Sequence, residues 1–177
     1  PPDNVKAQVR LIAETLGTLP AYEAWVGEFD ALVADVRAGV TDAYPDRRAV
    51  VHFHQRAFAE SIGFNVAGEF GPAEPSPAVI AELAGAGAVV VIDNYHNPVG
   101  QAIAESAGVP YVQLINFPGK EGTVTIEDVY RYNRDALIGV AGAEVARGGV
   151  NWPLVAGSAG GIVVLLAGVA WAMRRRG

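Results

Sequence analysis

The stretch Ala88–Asp93, with the sequence AVVVID, is a continuous apolar and β-branched run that ends in a carboxylate. Such a run is typical of a strand covered on both faces, as in a parallel sheet flanked by helices. Three further short strands are predicted over Ala49–His54, Asn65–Phe70 and Pro110–Asn116. Together these segments predict a four-stranded parallel sheet.

Helical segments separate the predicted strands. They cover Gln55–Ile62, then Pro77–Leu83 with Ser76 as the N-cap, and then Asn97–Ser106. Strands that alternate with helices of this length are joined by right-handed crossovers, so helices cover both faces of the sheet. The fold class is therefore α/β, and ligands are expected at the carboxyl ends of the strands.

Further helices flank the sheet on both sides. Apolar stripes over Asn4–Leu16 and Tyr22–Val40 predict two helices before the sheet, the second of which is long and linker-like. A late helix is predicted from Ile126 to about Val145. The sheet is thus preceded by a long linker helix and followed by one more helix of the domain.

The most apolar part of the chain lies near its C-terminus. Residues 154–173, LVAGSAGGIVVLLAGVAWAM, carry no charge and are followed directly by Arg174, Arg175 and Arg176. Twenty helical residues span roughly 30 Å, the thickness of the hydrocarbon core, and the positive-inside tendency places the arginines in the cytoplasm. We predict a single transmembrane helix, with the preceding domain in the periplasm or outside the cell. The predicted domains are N-terminal helices 1–45, an α/β lobe 46–147, a linker 148–153, the transmembrane helix 154–173 and a basic cytoplasmic tail 174–177.

The start of the chain contains no export signal that matches this orientation. It begins Pro1-Pro2-Asp3, without an initiator methionine, a basic region or the apolar run of a signal peptide. We therefore expect further sequence upstream of Pro1 in the encoded protein.

The predicted membrane helix carries two glycines four residues apart, Gly157 and Gly161. Small residues at this spacing let two membrane helices approach closely. This favours a transmembrane partner or a larger membrane complex in addition to the lipid bilayer. A glycine-rich anchor without a partner explains the same residues, and both interpretations stay open.

Charge and residue usage exclude several function classes. Residues 1–147 contain all 19 acidic residues and ten of the 13 basic ones, and therefore carry a net charge of −9. An acidic surface without basic clusters argues against nucleic-acid binding and is compatible with cation handling. The absence of cysteine excludes disulfides and thiolate ligands. No nucleophile-elbow, Walker or dinucleotide-binding motif is present, so we predict that the protein is not an enzyme.

Five polar residues lie at or after predicted strand ends and are the candidate site. His52 and His54 are two apart in the first strand, which is expected to place both on one face. Asp93 and His96 follow the third strand, and Asn116 ends the fourth. Imidazole suits zinc, and carboxylate or amide oxygens extend the choice to manganese. A hydrogen-bonded structural histidine and a helix-capping turn after Asp93 are the alternatives.

The order of these residues resembles that in the periplasmic zinc and manganese solute-binding proteins of ABC importers. His52, Phe58 and Gly63 match a metal ligand, an aromatic residue six positions later and a glycine eleven positions later. The resemblance covers about residues 2–146. Further matching elements are the opening Pro2–Val5, the loop Glu74–Pro77, Asp93 with Pro98, Ala107–Val109, and Asn133 with Leu137.

The resemblance implies a C-terminal lobe that binds a metal ion, with three departures. The N-terminal lobe that supplies two histidine ligands in the family has no counterpart here, and Asn116 stands where a carboxylate ligand is usual. The C-terminal transmembrane helix is also unusual, and only His52 transfers by position as a ligand. Two functions follow: a membrane-anchored domain that delivers zinc or manganese to an importer, or a degenerate lobe without metal that serves as an accessory subunit.

Overall fold

The computed structural model describes residues 1–148, which contain a four-stranded parallel sheet and six α-helices. The strands lie in the order β2-β1-β3-β4, and every neighbouring pair is parallel. The predicted α/β class, strand number and strand direction are confirmed. The elements are α1 (Pro2–Leu16), α2 (Leu19–Ala43), β1 (Arg48–His52), α3 (Arg56–Ser61), β2 (Asn65–Phe70), α4 (Pro77–Ala84), β3 (Val90–Asn94), α5 (Gln101–Ala107), β4 (Tyr111–Leu114) and α6 (Ile126–Gly148).

The two central strands are the most buried part of the sheet. All five residues of β3 are buried, as are the last four of β1. Alternate side chains enter two separate cores, because successive residues of a strand point to opposite faces. Val51 and Ile92 join the core that contains residues of α2 and α6, whereas Val50 and Val91 join the smaller core that contains residues of α4 and α5.

Helix α2 covers the larger core with one apolar face. Phe29, Val33, Val36 and Val40 are buried at the three- and four-residue spacing of a helical stripe. The ring of Phe29 meets Tyr130 of α6 edge-on, with centroids 5.2 Å apart. The apolar face predicted for the long helix is confirmed, although the helix begins at Leu19.

Helix α1, unlike α2, leaves most of its apolar side chains exposed. It ends at Gly17, whose φ of 69° is the left-handed conformation typical of a helix C-cap. Ala13 is its one buried residue, while Leu11, Ile12 and Leu16 are 59%, 57% and 68% exposed. We call these three residues the α1 stripe, an apolar surface without a partner among residues 1–148.

Several predictions concern the chain beyond residue 148. The linker up to residue 153, the transmembrane helix 154–173 with Gly157 and Gly161, and the basic tail lie outside the described residues. Within residues 1–148, no helix combines the length and the apolarity needed to cross a bilayer.

Tyr44, at the C-terminal end of α2, provides a test of the packing between α2 and α6. Its hydroxyl donates to the carbonyl oxygen of Leu137 at 2.8 Å, and burial raises the pKa of Tyr44 from 10.0 to about 12. The resulting stabilisation is complete below pH 10 and is lost as pH rises through about 12. Tyr44→Phe should lower the free energy of unfolding at pH 8 by about 1 kcal/mol.

Above pH 10, the free energy of unfolding should also fall less steeply with pH in Tyr44→Phe than in the wild type. Urea denaturation at pH 8 and pH 11 measures this difference. Tyr22→Phe is the matched control, because the Tyr22 hydroxyl makes no hydrogen bond within the described part of the chain. Identical pH dependence in the wild type and Tyr44→Phe would contradict this account.

Candidate functional site

The five predicted site residues lie at one edge of the sheet, which we call the carboxyl edge. Strands β1, β3 and β4 are neighbours and parallel, so their carboxyl ends meet there. The five side chains nevertheless occupy two environments. His52 and Asp93 are completely buried, whereas His54, His96 and Asn116 are exposed.

His52 is the last residue of β1, and a single 3₁₀ turn over Phe53–Gln55 follows. Its Nδ1 accepts a hydrogen bond from the backbone N–H of His54 at 3.0 Å. A neutral imidazole has one unprotonated nitrogen, so Nε2 of His52 carries the proton. Burial lowers the pKa of His52 and outweighs the opposing attraction of Asp93. The ring is therefore neutral near pH 7, and its lone pair is already used.

The loop after β2 encloses the other side of the His52 ring. A Cβ atom on Gly71 would lie 2.4 Å from Nε2, so the tip of the ring rests against the glycine backbone. The ring also meets Phe70 edge-on, with centroids 5.5 Å apart. Nε2 has no hydrogen-bond partner among residues 1–148. This arrangement does not fit metal coordination by His52. The lone pair on Nδ1 already accepts a hydrogen bond, and the backbone of Gly71 occupies the space in front of Nε2.

The prediction that strand β1 continues to His54 is wrong. The strand ends at His52, and the 3₁₀ turn carries His54 to the surface. The two rings remain close and stack at a centroid distance of 5.2 Å. The His52 imidazole is therefore buried, and the His54 imidazole is exposed to solvent.

Asp93 organises the loop that leads into α5. Its Oδ1 accepts the backbone N–H of Asn94 at 2.7 Å, and its Oδ2 accepts the N–H of Gly100 at 2.6 Å and the hydroxyl of Tyr111 at 2.7 Å. Burial and this hydrogen bond raise the pKa of Tyr111. Helix α5 begins at Gln101 and not at the predicted Asn97, because Asp93 holds the preceding residues in a turn. Asp93 does not cap α5 itself: the N-cap is Gly100, and no side chain of residues 1–148 makes a capping hydrogen bond to this helix.

Three site residues lie in the exposed loops after β1, β3 and β4. His96 stacks on Phe117 with ring centroids 4.3 Å apart, and Asn116 Oδ1 accepts from Gln55 at 2.6 Å. Within residues 1–148, no three His, Cys, Asp or Glu side chains lie close enough to share a metal ion. A zinc site needs at least three protein ligands, so the described part does not assemble one alone.

Gln55 was missed by the sequence analysis. It is completely buried, and its Nε2 donates to the carbonyl oxygen of Leu114 at 2.9 Å and to Asn116. Its Oε1 has no partner in residues 1–148. With His54 and Asn116, it lines a pocket of about 220 Å³ that we call the edge pocket. The available sequence signal was weak: a polar residue at the start of a predicted helix.

Comparison with known proteins identifies the fold. No protein-family model matches this chain, and no curated protein matches it. The solute-binding protein FpvC of Pseudomonas aeruginosa, solved in complex with Ni²⁺, is 24% identical over 78% of this chain and 59% of its own, with a TM-score of 0.58. The periplasmic zinc-binding protein TroA of Treponema pallidum is 19% identical over 78% of this chain and 58% of its own, with a TM-score of 0.56. The laminin-binding protein Lbp of Streptococcus pyogenes is 17% identical over 78% and 59%, also with a TM-score of 0.56.

The described domain therefore has a fold that also occurs in the solute-binding protein FpvC and the periplasmic zinc-binding protein TroA. The resemblance predicted from the sequence is confirmed at the level of the fold. The chain spans about 59% of the length of FpvC.

Gly71 tests the close packing around His52. Gly71 and Gly108 both have positive φ values, of 84° and 67°, but a Cβ on Gly108 would meet nothing within 4 Å. Gly108→Ala should cost only the backbone strain of about 1–2 kcal/mol. Gly71→Ala should cost about 1–3 kcal/mol more, because the methyl group displaces the His52 ring. Equal losses of unfolding free energy, measured by denaturant titration, would show that the ring is not held there.

Asp93 gives a second test. Asp93→Asn replaces one acceptor oxygen with an NH₂ donor. Depending on the orientation of the amide, either the N–H of Asn94, or both the N–H of Gly100 and the hydroxyl of Tyr111, lose their acceptor. We expect the free energy of unfolding to fall by about 2–3 kcal/mol in metal-free buffer. The exposed carboxylate of Glu74 supplies the control, and Glu74→Gln should have little effect. Unchanged stability of Asp93→Asn would rule out the structural role.

Proposed function

We propose that this domain is one lobe of a two-lobed, membrane-attached solute-binding protein, with the carboxyl edge facing the solute. The proposal rests on the aromatic and histidine side chains that are exposed at this edge. Phe53, His54, Tyr95, His96 and Phe117 are exposed there, in loops that follow three adjacent parallel strands. Ligands of open α/β sheets bind at this position.

The α1 stripe supports the presence of a second lobe. Exposed apolar patches of this kind usually mark an interaction surface, and nothing in residues 1–148 covers this one. FpvC and TroA are longer than the part that matches this chain. A second lobe, in the same polypeptide or another one, would cover the stripe and form the other wall of the site.

A divalent metal ion, zinc or manganese, is the first candidate solute. FpvC was solved in complex with Ni²⁺, TroA is a zinc-binding protein, and the acidic charge of this domain favours cations. This lobe would contribute three metal ligands: the exposed imidazoles of His54 and His96 and the amide of Asn116. The second lobe would supply the remaining ligands, while His52 and Asp93 keep the loops in place.

Residues 154–173 would hold this protein at the membrane, with Arg174–Arg176 in the cytoplasm. An importer or another membrane complex is the proposed partner, with Gly157 and Gly161 as its helix contact. The domain would then capture its solute outside the cytoplasm.

An accessory lobe that binds no metal is the second candidate function. It is favoured by the use of the His52 lone pair within the fold and by Asn116 in place of a carboxylate. Such a lobe would act through its protein contacts alone, and its α1 stripe would bind a subunit of the complex.

Metal analysis separates the two candidates. Protein purified from its native membrane should contain about one zinc or manganese ion per chain, and His54→Ala or His96→Ala should weaken binding at least tenfold. His52→Gln should lower thermal stability but keep the stoichiometry, because its ring faces the interior. Absence of metal from the wild type would favour the accessory role. Loss of metal in His52→Gln alone would show that His52 is a ligand after all.

A further inference from the structure

We propose that Asn133 is a positioning residue, which fixes Asn116 and His96 at the carboxyl edge for contact with the solute. Asn133 lies on α6 and is completely buried, so it is not part of the exposed surface itself. The proposal rests on the proposed function, since it takes the carboxyl edge as the solute surface. It adds a residue from the interior that determines how this surface is arranged.

Asn133 holds the backbone of Ile115 at two points. Its Oδ1 accepts the N–H of Ile115 at 2.9 Å, and its Nδ2 donates to the carbonyl oxygen of Ile115, also at 2.9 Å. The N–H can only donate and the carbonyl can only accept, so the orientation of the amide is determined. Strand β4 lies at the edge of the sheet and ends just before, at Leu114. The amide thus takes the place of a neighbouring strand for one residue.

The burial of this pair makes the position of the backbone specific. Ile115 is 1% exposed, and the side chain of Asn133 has no exposed surface at all. A buried donor or acceptor that loses its partner is costly, because water does not replace the lost hydrogen bond. Any displacement of Ile115 would weaken both hydrogen bonds at once. The chain therefore leaves β4 at a fixed point and in a fixed direction.

The two residues after Ile115 transmit this position to the surface. Asn116, a proposed metal ligand, follows directly along the chain. Phe117 comes next and stacks on His96, with ring centroids 4.3 Å apart and ring planes 12° from parallel. His96 belongs to the loop after β3, so the stack connects the two loops. Asn133 thereby determines where two of the three proposed ligands of this lobe lie.

The test compares Asn133→Asp with Leu137→Ala in the full chain. Asn133→Asp keeps the size of the side chain and an acceptor for the N–H of Ile115, but an ionised carboxylate cannot donate to the carbonyl oxygen. Leu137 is also completely buried and lies one helical turn further along α6. Leu137→Ala is the matched control, because it disturbs the packing of α6 without removing a hydrogen bond to Ile115.

Two measurements report on positioning and not on stability alone. The first is the ¹H chemical shift of the His96 ring, which the stacked ring of Phe117 displaces upfield. The second is the affinity for zinc. Asn133→Asp should remove most of the upfield displacement and weaken zinc binding about tenfold, as expected for a residue that orients metal ligands. Leu137→Ala should lower thermal stability and leave both measurements unchanged.

Three outcomes would overturn the proposal: no upfield displacement of His96 in the wild type, unchanged values in Asn133→Asp, or equal losses in Leu137→Ala. Asn133→Ala, which leaves room for water beside the backbone of Ile115, replaces Asn133→Asp if the buried carboxylate prevents folding, with the same expected result.

Failure of the proposed function gives a different pattern. If the wild type binds no zinc, the metal candidate fails, and the His96 shifts alone decide whether Asn133 positions this edge. If the wild type and Asn133→Asp bind zinc equally well, the positioning role fails and the proposed function stands.

Discussion

The two central strands, β1 and β3, end inside the protein, and both end in polar residues that need partners there. His52 and Asp93 are completely buried at these ends. Buried polar groups are costly unless they form hydrogen bonds, so the chain must supply donors and acceptors locally. It supplies partners for Nδ1 of His52 and for the carboxylate of Asp93, by turning directly after β1 and by folding residue 100 back onto Asp93. Nε2 of His52 has no partner among residues 1–148.

This requirement divides the carboxyl edge into an inner and an outer layer. The inner layer consists of His52 and Asp93, whose polar atoms hold the loops in position. The outer layer contains His54, His96 and Asn116, which the same loops carry to the surface. The division accounts for His52, which was predicted as a metal ligand from the sequence: its Nδ1 lone pair accepts a hydrogen bond within the fold. The proposed solute contacts therefore belong to the outer layer.

The sequence predicts the elements that depend on local signals. The limits of β2 are those expected, and Ser76 accepts from the N–H of Val79 as the cap of α4. Prediction failed where residues distant in sequence decide the backbone. The contact of Asp93 with Gly100 places the start of α5 at Gln101, and the turn after His52 exposes His54 while His52 stays buried. Strand periodicity contains no information about either contact, and the candidate site was therefore predicted less well than the sheet.

The tautomer of His52 tests this account most directly. Imidazole ¹⁵N spectroscopy of the full chain can identify the protonated nitrogen of each histidine, before and after zinc is added. The account predicts that His52 is neutral, carries its proton on Nε2 and does not change with zinc, because its Nδ1 accepts from His54 and burial lowers its pKa. A proton on Nδ1, or a shift of the His52 resonances when zinc is added, would contradict the division into structural and solute-facing residues.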